Sequence, residues 1–325
     1  MRPIQIECYL LFNDADGGAI EDLKQNSAGL IGEIRENNPN LFIQIEYFSD
    51  KFDLIYPNIK TALMAGRYRN VVFNLDQCGY SKVDIDVVRE IMSNWRSAEA
   101  FLTFSIDTIK TYFSRERSKN SVLKKYPELT DEIYTALNDG EEIISKNEWL
   151  GLIEKLVFHK LQGCAPFVSP FSINNPKGWR YWLLHFANRA PARRVYNDIL
   201  HTNSTCQAHF GHSGLNMLAF DPREEGKLYL FDNSSRETAK RELNEDIPRL
   251  IDLHGDTLKI SDFNLEIYNG TPAHSDDILD VLISNPDLEV ITNLGNPRRK
   301  ANTIREDDFV RLNKQRSMFP IFKRK

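Results

Sequence analysis

The chain has 325 residues, of which 41% are hydrophobic and 11% are aromatic, which is enough apolar material for two domains or one large one. Its formal net charge of −5 excludes a global basic signature for nucleic acid, so any nucleic-acid contact must be local. No apolar run approaches the roughly 18 residues of a membrane span, so we expect no membrane contact.

The four cysteines lie far apart and have no CxxC spacing, which argues against a zinc site and against a disulfide framework. They are Cys8, Cys78, Cys164 and Cys206. Free cysteines in a chain without a signal peptide favour a reducing compartment, so we predict a cytoplasmic protein.

Strand and helix patterns alternate at the start of the chain, and acidic residues follow each strand. The strand patterns cover residues 4–12, 41–48 and 71–75, and helix patterns lie between them. The acidic residues after the strands are Asp14 and Asp16, then Asp50 and Asp53, then Asp76. This alternation predicts a Rossmann-like, doubly wound and mostly parallel sheet, in which each strand brings its carboxylates to the same edge. Ligands of such sheets bind outside that edge.

The middle of the chain continues this pattern with an insertion. A helix over 83–95 and a strand over 100–104 come first, and polar and helical patterns over about 114–162 predict a helical insertion. Residues 162–177 are rich in Pro, Ser and Asn and predict a loop. An aromatic strand is expected over 179–187 and a helix over 191–201.

His209 and His212 are three residues apart, a spacing that a metal site could use. No third ligand with suitable spacing is evident, and Gly211 and Gly214 favour a loop. We therefore predict a loop or capping role for this pair and no metal site.

The C-terminal part changes to three helices followed by a hairpin. Helix patterns cover residues 235–254, 260–269 and 275–284, a strand covers 288–292, and the chain returns over 303–312 after a turn at 295–297. Ser275 is the expected N-cap of the third helix. This order is typical of a winged helix-turn-helix, so we divide the chain into a Rossmann-like domain at 1–232 and a winged helix-like domain at 233–325.

The turn of this predicted hairpin is followed by a group of basic residues, namely Arg298, Arg299, Lys300 and Arg305. A local basic wing suits contacts with phosphates, so these four residues are our candidates for nucleic-acid binding. The alternatives are a solubilising surface and a surface for a protein partner.

Several segments together resemble the three-Cys-motif partner family of bacterial and phage-associated proteins. The segments that carry the resemblance are Phe12–Asp16, Glu46–Asp53, Phe73–Tyr80, Leu102–Ile106, Trp182–Asn188 and the C-terminal winged region. That family is similar to S-adenosylmethionine-dependent methyltransferases and is named for its association with a protein that carries a three-cysteine motif. The resemblance therefore implies a methyltransferase-type fold, an S-adenosylmethionine pocket and a protein partner of that kind.

The resemblance also implies site residues. By position, Asp14 or Asp16 would face the ribose hydroxyls of the cofactor, and Asp50 or Asp53 would lie near its adenine. Asp76 and Tyr80 would belong to the catalytic turn, close to the methyl group. The chain departs from the family pattern where Gln77 replaces the proline after the motif aspartate, and where the glycine-rich first motif is absent.

Three functions follow as hypotheses. The first is a methyltransferase-like enzyme that acts on or with nucleic acid in a bacterial modification or defence system. The second is a non-catalytic scaffold that binds nucleic acid or a protein. The third is a metal-dependent nuclease, in which Asp14, Asp50 and Asp76 would converge on a divalent cation.

Overall fold

The computed structural model describes residues 5–76, 83–105, 157–174, 180–202, 209–210, 228–229 and 232–313. The chain divides into two compact units, one that ends at Tyr68 and one that begins at Arg69. No helix in the described ranges has the length and the apolar composition needed to cross a bilayer.

The first unit is a strand–helix–strand–helix repeat. It consists of β1 (Ile6–Asn13), α1 (Gly17–Asn37), β2 (Leu41–Phe48) and α2 (Phe52–Ala65). The two strands are parallel over their whole length, from Ile6 opposite Leu41 to Asn13 opposite Phe48. The predicted parallel pairing of the first two strands is confirmed.

The two helices of this unit differ in how many side chains they bury. In α2 the buried side chains are Ile55, Tyr56, Ile59 and Leu63, which follow one face of the helix. In α1 the only buried residue is Ile20. Leu30 and Met64 are 60% and 42% exposed.

The second unit contains a four-stranded mixed sheet. Its elements are β3 (Asn70–Leu75), α3 (Ile85–Asn94), β4 (Ser97–Phe104), β5 (Phe167–Asn174), β6 (Arg180–Ala187) and α4 (Ala190–Thr202). The strand order is β3-β4-β6-β5. Strands β3 and β4 are parallel, and β6 is antiparallel to both of its neighbours. Two short antiparallel strands follow, β7 (His209–Phe210) and β8 (Leu228–Tyr229).

Strand β5 lies where the sequence predicted a loop, so that prediction is wrong. All eight residues of β5 pair with β6, and this long-range pairing overrides the local turn signal of its Pro and Ser residues. Pro170 is tolerated because β5 lies at the end of the strand order, where one edge needs no backbone donor.

The α/β class and the parallel strand pairs of the prediction are confirmed. The described parallel pairs β1–β2 and β3–β4 lie in separate sheets, and the second of these sheets contains antiparallel neighbours. A single doubly wound Rossmann-like sheet therefore stays a prediction. The predicted helical insertion lies outside the described residues except for a helical segment at 157–162.

The C-terminal part of the second unit is a winged helix-turn-helix. It consists of α5 (Asn233–Leu253), β9 (Thr257–Lys259), α6 (Ile260–Gly270), α7 (Ser275–Ser284), β10 (Leu288–Ile291) and β11 (Phe309–Leu312). The three strands form an antiparallel sheet in the order β10-β11-β9. The predicted domain boundary coincides with the start of α5, which Asp232 caps by accepting the Ser235 amide, and the two-domain division stays a prediction.

This winged domain shares its core with the four-stranded sheet. Its own buried residues include Leu243, Ile247 and Ile251 on α5, at helical spacing. Phe167, Ala187 and Ala190, from β5, β6 and α4, join the same cluster. Each large apolar side chain buried in this way contributes roughly 1.5–3 kcal/mol relative to exposure. Residues of α4 and the sheet thus support the helix-turn-helix directly.

Candidate functional site

The predicted cofactor-binding carboxylates follow the ends of β1 and β2 in the first unit. The Asp14 carboxylate accepts the Asp16 amide at 2.8 Å, and the Asp16 carboxylate accepts the Gly18 amide at 2.8 Å. The Asp50 amide donates to the Asn13 side chain at 3.3 Å, which joins the end of β2 to the end of β1. Asp53 lies in the first turn of α2. The structure therefore brings Asp14, Asp16 and Asp50 to the carboxyl edge of the β1–β2 pair.

Asp76 lies at the carboxyl edge of the other parallel pair. It follows β3 directly, and the Thr103 hydroxyl at the end of β4 donates to its Oδ1 at 2.6 Å. The predicted catalytic residue Tyr80 and the Gln77 departure lie outside the described residues, as does His212. Within the described ranges, no three His, Cys, Asp or Glu side chains could hold a metal ion together.

The connection between β10 and β11 forms the wing, and an ion pair fixes its shape. Gly295 has a φ of +82°, a conformation that favours glycine, at the turn that follows β10. The Arg298 guanidinium then donates twice to the Asp308 carboxylate, at 2.9 Å each. Asp308 is only 1% exposed, and it also accepts the Arg305 amide at 2.8 Å. Arg298 is thus a structural residue of the wing.

The pKa of Asp308 reflects this arrangement. Burial alone raises it, but the hydrogen bonds from Arg298 and from the Arg305 amide, together with the two positive charges, hold it below its usual value. The carboxylate is therefore charged at neutral pH and keeps the two sides of the wing together.

The other three predicted cations of the wing are available. Arg299, Lys300 and Arg305 are exposed, and their side chains form no ion pair with the described residues. Arg311, on β11, is instead paired with Glu289 at 2.6 Å. The structure therefore places three of the four predicted nucleic-acid-binding residues on the wing surface in a form that can contact an anion.

The turn between α6 and α7 is covered by α4. The Asn197 amide group donates to the carbonyls of Thr271 and Ala273, at 3.3 and 3.1 Å. The Asp198 carboxylate accepts both the backbone amide and the hydroxyl of Ser275, at 2.9 and 2.7 Å. Thr271, Ala273 and Ser275 are at most 2% exposed. The start of α7 is therefore buried inside the second unit.

The predicted N-cap of α7 is wrong by one residue. His274 has the extended backbone of an N-cap, and its Nδ1 accepts the Asp276 amide at 3.1 Å. Ser275 is the first helical residue, because its amide and hydroxyl are taken by Asp198 from the neighbouring helix. A tertiary contact thus replaces the local cap that the sequence suggested.

The exposed surface of α7 is acidic. The helix, Ser275–Ser284, contains three aspartates and no Lys or Arg. Asp276 and Asp280 are exposed, and Asp280 is paired with Lys240 at 3.2 Å. Asp277 is nearly buried and accepts two hydrogen bonds from Arg236 of α5. Helix α7 thus presents carboxylates, and no cation, to solvent.

Two further contacts attach the winged domain to the sheet. The buried Arg193 of α4 donates its Nε–H to the Tyr268 carbonyl at 3.1 Å. On the β5 side, the Asn269 side chain donates to the Pro166 carbonyl at 2.7 Å and accepts the Val168 amide at 3.1 Å. Helix α6 is therefore held between α4 and β5.

The comparisons with known proteins bear on this part of the chain. A family model described as the GMT-like wHTH domain matches residues 219–295. The match confirms the winged helix domain predicted from the sequence, and it ends at Gly295, before the wing cations and β11. Searches among curated proteins and among solved structures gave no significant match. The likeness to the three-Cys-motif partner family stays a resemblance.

Proposed function

We propose that the winged helix domain binds nucleic acid, and that the chain acts on or with this nucleic acid as a methyltransferase-like protein of a bacterial modification or defence system. The observation that carries the proposal is the wing, where Arg299, Lys300 and Arg305 stand exposed on a winged helix-turn-helix fold. Helix-turn-helix domains commonly bind DNA. Exposed cations on a wing suit its phosphates.

The rigidity of the wing supports this proposal. The Arg298–Asp308 pair links the start of the wing loop to the residue before β11. Cations on a loop held in this way lose less conformational freedom when they bind phosphates, so more of the interaction energy appears as affinity.

Fluorescence anisotropy with a labelled DNA duplex tests the nucleic-acid part. The double variant Arg299→Glu/Lys300→Glu should weaken binding at least about tenfold, because it replaces two phosphate contacts with two repulsive charges. The matched control is Arg241→Glu/Arg249→Glu on α5, which changes the net charge equally at two exposed positions away from the wing sequence. Equal losses in both variants, or no binding by the wild-type chain, would contradict the proposal.

The methyltransferase part is supported by the carboxylates at the ends of the parallel strands. In the first unit, Asp14 and Asp16 each use one carboxylate oxygen on a backbone amide, and the second oxygen has no hydrogen bond to a described residue. A free carboxylate oxygen can accept a ribose hydroxyl, so these side chains fit the nucleoside part of S-adenosylmethionine. Asp50 and Asp53 would serve the adenine.

The proposed catalytic residues are Asp76 and Tyr80. Asp76 lies outside the carboxyl end of a parallel strand, which is where open α/β sheets bind their ligands. In this proposal, S-adenosylmethionine supplies the methyl group, and Asp76 accepts a hydrogen bond from the group that is methylated. The Thr103 hydroxyl positions the carboxylate by donating to its Oδ1.

Isothermal titration calorimetry with S-adenosylmethionine and S-adenosylhomocysteine tests the cofactor. Micromolar binding, about −8 kcal/mol, is expected for a working pocket, and Asp14→Ala should weaken it. Asp22→Ala, an exposed change on α1, is the matched control and should leave it unchanged. Absence of heat and of a thermal shift would contradict the methyltransferase part and favour the scaffold hypothesis. Magnesium-dependent cleavage of DNA, removed by Asp50→Ala, would favour the nuclease instead.

A further inference from the structure

We infer that the winged domain contacts the sugar–phosphate backbone of a nucleic-acid duplex through its wing, and that α7 does not read bases in the major groove. This inference rests on the nucleic-acid binding proposed above and specifies how that binding occurs. It follows from the position of α7, from its charge and from the charge of the wing.

The position of α7 is the first step. A helix-turn-helix reader places the N-terminal residues of its second helix against base edges in the major groove. In this protein the turn before α7 and the first residue of α7 are covered, because Asn197 and Asp198 of α4 hold Thr271, Ala273 and Ser275. The turn could reach a groove only if α4 moved away, and that movement would leave buried carbonyl and carboxylate groups without partners.

A further contact closes the same surface. The His201 ring, near the end of α4, lies 3.2 Å from the Pro272 carbonyl, between the two residues that Asn197 holds. Each described residue from Thr271 to Ala273 is buried. Residues 271–273 of the turn therefore serve as an internal contact of the second unit.

The charge of α7 is the second step. Its exposed Asp276 would repel the phosphates beside a groove, and Asp280 is already paired with Lys240. The helix offers none of the Arg, Lys, Asn or Gln side chains that read G and A. Among base-reading groups, α7 offers its carboxylates, which can accept a hydrogen bond from cytosine, and the Ser284 hydroxyl at its C-terminal end.

The charge of the wing is the third step. Arg299, Lys300 and Arg305 are exposed, while Arg298 is occupied by Asp308. Guanidinium and ammonium groups on a short loop suit phosphate oxygens, and such contacts position a protein without reading sequence. The expected ligand is therefore a duplex of any sequence, bound at about three phosphates.

The experiment combines selection from a library of randomised DNA duplexes with anisotropy measurements on variants. The expected results are that no sequence motif is enriched, that Asp276→Ala and Asp280→Ala each change affinity by less than about threefold, and that Arg299→Glu/Lys300→Glu weakens it at least about tenfold. Both aspartates are exposed, so their replacement should leave the fold intact, and circular dichroism checks this.

The outcomes separate this inference from the proposed function. An enriched motif, or a loss of more than about tenfold in Asp276→Ala, would overturn the inference while nucleic-acid binding stands. A cytosine-rich motif that Asp276→Ala abolishes would identify α7 as the reader. Failure of the wild-type chain to bind any duplex would overturn the proposed function and the wing contact together.

Discussion

Replacement of Asn197 by leucine should destabilise the contact between α4 and the helix-turn-helix. The side chain is fully buried, and its amide group donates to the carbonyls of Thr271 and Ala273. Leucine has a similar size but no donor, so two buried carbonyls lose their partner at a cost of roughly 1–3 kcal/mol each. The Asn197 Oδ1 is itself buried and has no hydrogen bond to a described residue, so removing it offsets part of this loss. We therefore expect the free energy of unfolding to fall by about 3 kcal/mol.

Thermal unfolding followed by circular dichroism measures this effect. For a chain of 325 residues, an unfolding entropy of about 2.1 cal/mol/K per residue converts about 3 kcal/mol into a decrease in Tm of roughly 4–5 °C. Val195→Ala is the matched control, because Val195 is an exposed residue of the same helix and its change should stay within about 0.5 kcal/mol. If Asn197→Leu unfolded at or above the wild-type temperature, α4 would not be holding the turn, and the reason for excluding α7 from the groove would be lost.

The remaining predictions concern the wing and the α4 junction. Asp308→Asn should lower the free energy of unfolding, measured by urea titration, by about 2 kcal/mol, because it breaks a buried charged pair whose Arg298 partner keeps some access to water. The control Asp307→Asn should have little effect in the same titration. Because the folded pKa of Asp308 is lowered, this stabilisation is present above the ordinary aspartate pKa and is lost as the pH falls through the lower folded pKa. If Asp308→Asn lost stability as steeply as the wild type in an acid titration, this expectation would be refuted. Burial lowers the pKa of His201 to about 4, so the unfolded chain binds more protons than the folded chain between about pH 6.5 and 4. The free energy of unfolding of the wild type should therefore fall by about 2 kcal/mol over that pH range, and that of His201→Gln should fall by less.

The elements that could be predicted from the sequence are those with a strong local pattern. The bounds of β2 match the predicted strand at both ends, since an apolar run there stops at an acidic turn. Helix α7 was also placed correctly, because its apolar residues recur at helical spacing. Strand β5 was missed because its pairing partner, β6, decides its conformation, and a local pattern contains no information about partners.

Among the site residues, too, the sequence could predict those with a local pattern but not those that depend on distant partners. The sequence identified the basic wing, and three of its four residues are available to a ligand. It could not show that Arg298 is occupied, because Asp308 follows two other acidic residues and nothing local indicates which of the three is buried. Asn197 and Asp198 carried no signal either, since an Asn–Asp pair on a helix is usually a solvated surface. Their partners lie more than 70 residues away.

The measurement that tests the wing contact most directly is the salt dependence of duplex affinity. Three phosphate contacts, each contributing about −0.9, predict a slope of about −2.7 when log K is plotted against log salt concentration. Arg299→Glu/Lys300→Glu leaves one wing cation, so the magnitude of the slope should fall to about 0.9 or below. Equal slopes in the wild type and the variant would contradict a contact through the wing. A wild-type slope steeper than about −6 would show that much more of the protein touches the duplex than these three residues.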